Sequence, residues 1–424
     1  MRAVPDVHIG RRERAARWLL VLLAATNFAN YADRYVLGAV LEPIRSELGL
    51  SDARAGLLGS VFMASYMLIA PWTGLWGDRA RRVRIVAGCT VLWSLATAAT
   101  ALADGYGQLV ALRGLVGVGE AGYAAVAPSL IADSFVPDRR GRALAWFYLA
   151  IPVGSAVGYL VGGLVAAAAG WRAAFVVAGA PGLVLAALAV RLEEPRRGAL
   201  DPPGLAAGAP LSARRTVARL FATPAWVLNT VATALMTFTM GALAIWMPAF
   251  LQRTFDLPVD RANVWFGGAT VAAGLLGTFA GGVLGDRLQR DDPAGYFRLS
   301  GWGLLAGAPC VALLPALDDA VAVVALAFAA EFFLFLNTGP LNAALVAAVP
   351  AHLRASAFAV NIFLIHALGD ALSPGLVGWY SDRAGLAVAL AWLAAPVAAG
   401  GALLVGTAPW VRRWPGGLAY VRSR

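Results

Sequence analysis

The 424-residue chain contains no lysine: all 34 of its basic residues are arginine. That uniformity reads as genomic base composition and is given no chemical weight. Charge of either sign is scarce, at 14 % of residues, where soluble globular domains carry about 25 %. Hydrophobic residues make up 60 %, and together these fractions exclude an ordinary soluble domain. Only two cysteines occur, Cys89 and Cys310, each inside an apolar run. That rules out a disulfide framework and a ligand-spaced zinc site, and the two are read as packing residues. There is no phosphate loop and no serine–histidine motif, so neither catalysis nor a metal or cofactor is expected. A nucleic-acid partner would need a basic soluble domain; without one, the net charge of +10 is a signal of topology and of anionic lipid.

What the chain does have is apolar length. A membrane-crossing helix takes about 20 mostly apolar residues, and twelve such segments begin near residues 17, 55, 84, 106, 143, 173, 226, 262, 298, 320, 355 and 385. No small-residue cleavage site follows the first, which is therefore expected to be retained. With the N-terminus placed inside, the arginines crowd onto cytoplasmic segments. The exceptions are Arg45, Arg54, Arg172, Arg253, Arg261 and Arg383 on outer loops, and Arg34 and Arg113 within spans. The positive-inside rule then sets both termini in the cytoplasm.

A loop recurs. Gly74-Leu75-Trp76-Gly77-Asp78-Arg79-Ala80-Arg81-Arg82 follows the second span and Gly282-Val283-Leu284-Gly285-Asp286-Arg287-Leu288-Gln289-Arg290 follows the eighth, with Asp78 and Asp286 208 residues apart. The same loop at the same point of two six-helix halves is the pattern of parallel repeats. The expected organisation is an N-terminal six-helix bundle over 1–192, a cytoplasmic linker over 193–223, and a C-terminal bundle with its tail over 224–424. Within the linker, residues 211–221 are predicted to form a short amphipathic helix on the membrane surface.

Charge inside a span costs about 2.5 to 3.5 kcal/mol per group even on lenient scales, so the few that occur are functional candidates. Asp33 and Arg34 interrupt the first span. Arg113 and Glu120 lie seven residues apart in the fourth, which puts them on one helix face about 10.5 Å apart along the axis. Either they line a water-filled cavity, or Arg113 simply neutralises Asp33 or Glu120 to hold helices together. The second half offers Glu331, close to where the repeat offset carries Glu120, and His366 with Asp370 four residues on, spaced to pair. Phe332, Phe333 and Phe335 follow Glu331, and are cavity-lining, lipid-facing or core residues. In the fifth span, Pro152, Gly154, Gly158, Gly162 and Gly163 form a small-residue face around Tyr159 that is able to bend as a gate.

The repeated loop resembles the signature of the major facilitator superfamily, Gly-x-x-x-Asp-Arg followed by basic residues. That resemblance implies an all-α membrane protein with twelve transmembrane helices in two pseudo-symmetric bundles, and gating roles for Asp78, Arg79, Asp286 and Arg287. Asn27 to Arg34, Arg113 to Asp133, Ala150 to Ser155, Glu331 to Asn337, and His366 with Gly369 to Pro374 together resemble the spinster-like lipid transporters of that superfamily. The narrower resemblance implies Asp33 and Glu120 as proton-coupling carboxylates. Arg34 and Arg113 would meet an anionic headgroup or hold those carboxylates. Asn27, Tyr31, Tyr159, Glu331, Phe335 and His366 would line an amphipathic cavity. It implies a monomeric, proton-gradient-driven, alternating-access carrier in a bacterial inner membrane, whose partners are protons, membrane lipids and an amphipathic lipid such as a lysophospholipid or a sphingoid phosphate. A proton-coupled exporter of drug-like amphiphiles and a small organic anion carrier are the alternatives.

Overall fold

The computed structural model describes residues 6–197, 200, 213–349 and 353–413. Most of the expected linker therefore lies outside the described residues, as does the side chain of Asp78. Fifteen α-helices account for nearly all of what is described. In the first half they are α1 (Asp6–Glu47), α2 (Asp52–Arg79), α3 (Arg82–Thr100), α4 (Tyr106–Ser134) and α5 (Pro137–Ala189). The short α6 (Ala213–Phe221) precedes α7 (Pro224–Phe255), α8 (Val259–Asp291), α9 (Gly295–Leu313), α10 (Ala320–Phe335) and α11 (Thr338–Ala347). Then come α12 (Arg354–Ile365), α13 (Ser373–Ala384), α14 (Leu386–Trp392) and α15 (Ala394–Arg413), with a π-helical segment, His366–Asp370, between α12 and α13.

Among the described residues, ten helical segments are long and apolar enough to cross a membrane, so this is an integral membrane protein of all-α class. One of them, Arg142–Ala189, has 48 residues, about twice the length of a single crossing. It breaks at Gly170, where φ 83° and ψ 163° are non-helical. Helix α1, with Asn27, Asn30, Asp33 and Arg34 in its middle, is not among the ten. The expected count of twelve is reached when the Gly170 break divides α5 in two and α1 is added. Gly385, between α13 and α14, turns the chain in nearly the same conformation, φ 85° and ψ 153°. No side chain crowds either glycine; the backbone torsion alone selects the residue, because L-residues rarely adopt that region.

The chain divides into two compact units: Met1–Leu48 with Val61–Ala206, and Gly49–Ser60 with Ala207–Arg424. In the first, α5 packs closely along α1. A Cβ on Gly158 would stand 2.4 Å from the Ala32 carbonyl oxygen, so the glycine face of the fifth span is filled by α1. In the second, the opening turns of α2 are bound to α7 and α13. Arg253 donates to Asp52 at 2.8 Å, Ser381 donates to the same carboxylate, and Asp382 accepts the amides of Asp52 and Ala53 at 2.7 and 3.0 Å. These polar contacts explain why residues 49–60 belong with the C-terminal unit.

Candidate functional site

Two guanidiniums of the first unit converge on one ring. The Arg34 guanidinium lies 5.1 Å from the Phe62 centroid and that of Arg113 4.8 Å from it. Tyr31 and Tyr66 flank Arg34 at 4.7 and 5.3 Å. Helix α4 comes close enough to α2 to bring Arg113 there because Gly117 has no side chain: a Cβ would meet the Phe62 carbonyl oxygen at 2.3 Å.

The two arginines differ in what they hold. Arg34 donates from Nε at 3.1 Å and from its terminal nitrogen at 2.7 Å to one oxygen of Glu120, a charge-assisted pair at the short end of the usual range. The Glu120 side chain is fully buried and that of Arg34 is 17 % exposed. Arg113 is buried at 1 % exposure, and two of its nitrogens, Nε and Nη1, have no hydrogen-bond partner. No ion pair joins it to a described carboxylate. Helical spacing aligned Arg113 with Glu120; in the structure Glu120 is paired with Arg34 of α1 instead. Asp33, fully buried, accepts from the Thr97 hydroxyl at 2.6 Å, and its second oxygen is unpartnered, as are Asn30 Nδ2 and the second oxygen of Glu120. Thr97, Phe62 and Tyr66 were not singled out in the sequence. For Thr97 there was a signal, a hydroxyl in the apolar third span. For the two aromatic residues there was none, since aromatic side chains are ordinary core residues in any span.

Other candidate residues sit elsewhere. Asn27 is buried and donates to the Phe147 carbonyl at 3.0 Å. Tyr159 is fully buried with its ring edge-on to Tyr35, 5.2 Å between centroids. Both are thus built into the packing of α1 against α5. Tyr31 is half-buried beside Arg34. In the second unit, Glu331 is buried with one unpartnered oxygen, and no described cation forms an ion pair with it. Phe335 lies 3.6 Å from the Cβ position of Gly274. His366 Nδ1 meets Asp370 at 2.9 Å, and the pair spans the π segment, in which Gly369 is non-helical.

The repeated loop is fastened through Arg82, the last of its basic residues. Arg82, buried at 4 %, bonds Asp133 of α4 at 2.5 Å and Glu194 at 3.0 Å, and reaches the Pro195 carbonyl and the Ser129 hydroxyl. Glu194 also accepts the amides of Arg82 and Val83 at 3.2 and 3.0 Å, capping α3. Arg79 and Arg287 are exposed, and Asp286 accepts from the Tyr296 hydroxyl at 2.9 Å.

Comparison with known proteins agrees with this architecture. The family model of the Major Facilitator Superfamily matches residues 23–374. Protein spinster homolog 1 of Mus musculus is 38 % identical over 386 residues, covering 86 % of this chain and 73 % of its own. The Homo sapiens homolog 1 is likewise 38 % identical, over 389 residues with the same coverage. A crystal structure of a bacterial homolog to the human lysosomal transporter Spinster, inward-facing and unoccupied, superposes with TM-score 0.80 at 25 % identity, covering 93 % of this chain and 96 % of that one.

Proposed function

Because this chain belongs to the spinster branch of the major facilitator superfamily, a family of membrane transporters rather than enzymes, we propose that it carries an amphipathic lipid anion by proton-coupled alternating access. The substrate class in this reading is a lysophospholipid or a sphingoid-phosphate-like anion. One observation carries it: two guanidiniums share the Phe62 ring, and among the described residues only Arg34 of the two has a carboxylate partner. An unpaired guanidinium enclosed by protein leaves strong donors unmet, which an anionic headgroup would satisfy. The neighbouring rings of Tyr31, Phe62 and Tyr66 offer apolar surface to the part of the ligand next to that headgroup.

Asp33 supplies the complementary function. No described cation forms an ion pair with it, and its one hydrogen bond is from the Thr97 hydroxyl, so in this reading it is the group that takes up the coupled proton. Glu120 is held by Arg34, and an incoming anion that competes for Arg34 would release it to take up a proton. Proton and substrate then bias the same set of contacts, and coupling requires that each bind one conformation better than the other. The proposed setting is a bacterial inner membrane with both termini cytoplasmic, supported by the arginine distribution. The carrier would work as a monomer, need no cofactor beyond the proton gradient and have no nucleic-acid partner.

The test is flux of a lysophospholipid in liposomes under an imposed pH gradient. Asp33→Asn should fold and bind lipid yet lose the pH dependence of flux; undiminished gradient-driven flux would overturn the coupling role. Arg113→Ala should weaken an anionic lysolipid about tenfold to a hundredfold, the loss of a charged hydrogen bond, and a zwitterionic one less. Equal losses would assign Arg113 to packing. The aromatic surround also favours a second reading, an exporter of drug-like amphiphiles, which saturable drug flux without lipid flux would select.

A further inference from the structure

Helix α6 has three faces. Thr216 and Leu220, four residues apart, are buried at 8 % and 0 % exposure, and Leu220 joins a core cluster with Trp226, Leu345, Val349, Leu353 and Ala357. Arg214, Arg215 and Arg219 are exposed, and no described carboxylate pairs with any of them. Helical geometry at 3.6 residues per turn places Val217 and Phe221 between these two faces. Both are outward-facing, at 39 % and 53 % exposure, although the Phe221 and Trp226 rings meet in a T-shaped arrangement with centroids 5.7 Å apart.

Packing explains Leu220, and water would explain the arginines. Neither explains an uncovered phenylalanine and valine beside them. Nor does the helix's own dipole account for Arg214 and Arg215: cations stabilise the last turn of a helix, and these two stand in the first, where the segment has no acidic residue. One environment meets all three faces at once, the headgroup boundary of a bilayer, where an amphipathic helix lays its apolar side toward the acyl chains and its arginines among the phosphates. The position of α6 fits that setting, since only Ala222 and Thr223 separate it from Pro224, which opens the spanning helix α7. Exposed Arg354, at the start of α12 and next in sequence to Leu353 of the same core cluster, adds a further cation.

We infer that α6 is a docking face for anionic phospholipid headgroups of the membrane leaflet, with Arg214, Arg215 and Arg219 as the phosphate contacts and Val217 and Phe221 immersed beneath them. It does not depend on which substrate the protein carries. Juxtamembrane arginines each contribute about 1 kcal/mol of attraction to an anionic surface, roughly fivefold in affinity.

The experiment uses the full chain in nanodiscs of phosphatidylcholine with or without phosphatidylglycerol. With Cys89 and Cys310 replaced by alanine, an environment-sensitive fluorophore is placed at Val217→Cys. Quenching by lipids brominated near the headgroup should occur, and should strengthen at least fivefold with phosphatidylglycerol. The triple variant Arg214→Gln, Arg215→Gln, Arg219→Gln should lose that enhancement and an Arg→Lys triple variant should keep it, which separates charge from folding. Three results would overturn the inference: no quenching, as when another stretch of chain or a second copy covers the face; the same enhancement in the Gln variant; or an equal effect from added inorganic phosphate.

Discussion

The two halves share a loop and differ in how they use charge. After α2, Arg82 ties the loop to the end of α4 and to the chain beyond α5 through Asp133 and Glu194. After α8, the position 208 residues on is Arg290, which is exposed, and the turn is closed locally: Tyr296 donates its amide to Gln289 at 3.0 Å and its hydroxyl to Asp286. The contrast extends into the spans. The first unit gathers Asp33, Arg34, Arg113 and Glu120 within its spans, whereas in the second the buried Glu331 forms no ion pair with a described cation and the buried Asp52 is held by Arg253. The two halves thus share helices and a turn, while the clustered charges of the spans lie in the first.

The sharpest way to break that comparison is to strand a charge. Arg34→Ala leaves Glu120 buried and unpaired, and should cost about 3 to 5 kcal/mol, read as a large drop in thermal unfolding temperature; Arg34→Ala with Glu120→Gln should recover much of it. Next, Arg82→Ala should cost about 2 to 3 kcal/mol by releasing two part-buried carboxylates, while Arg290→Ala should stay within about 0.5 kcal/mol. Equal effects would mean the two loops are fastened alike. Glu331→Gln should change stability by less than about 1 kcal/mol, because no ion pair is lost; a loss comparable to Arg34→Ala would reveal a cation partner and erase the asymmetry.

The smallest effect is at the end of α1. Hydrogen bonds from Arg172 foremost, and from Trp171 Nε1 at 2.7 Å, hold the Glu47 carboxyl below its ordinary value. A carboxyl depressed on folding stabilises the native state above its unfolded value, and that contribution disappears as pH falls through the folded one. Acid unfolding followed by circular dichroism should therefore be slightly shallower in Glu47→Gln below about pH 4, near the ordinary glutamate value. An unchanged profile would show the contact to be idle.

Much of this was legible beforehand for one reason: in an apolar run, polarity is loud. Span starts expected near 55, 84, 106, 226, 262, 298, 320, 355 and 385 lie within three residues of helix starts, and all four charges of the first unit stood out. What was illegible was partnership across helices. Spacing within α4 pointed Arg113 at Glu120, but the choice of Arg34 depends on how closely α2, α4 and α1 approach, which is set by glycine contacts far apart in sequence. Arg82 was hidden for the opposite reason. On a loop crowded with arginines nothing marked the one that would be buried, and its carboxylates come from 51 and 112 residues away. The His366–Asp370 pair formed as its spacing suggested, though on a π segment where an α-helical turn was expected.

Gly170 and Gly385 extend the duplication beyond what side chains record. Their φ angles differ by only 2° and their ψ angles by 10°, yet the residues around them, Ala-Gly-Trp-Arg and Ala-Gly-Leu-Ala, have little else in common. Mirror-image chirality would suit both corners: a D-alanine introduced by semisynthesis should be accepted at either, whereas L-alanine should be refused despite the empty space around it. An ancestral bend can thus persist as a torsion angle long after the letters flanking it have drifted.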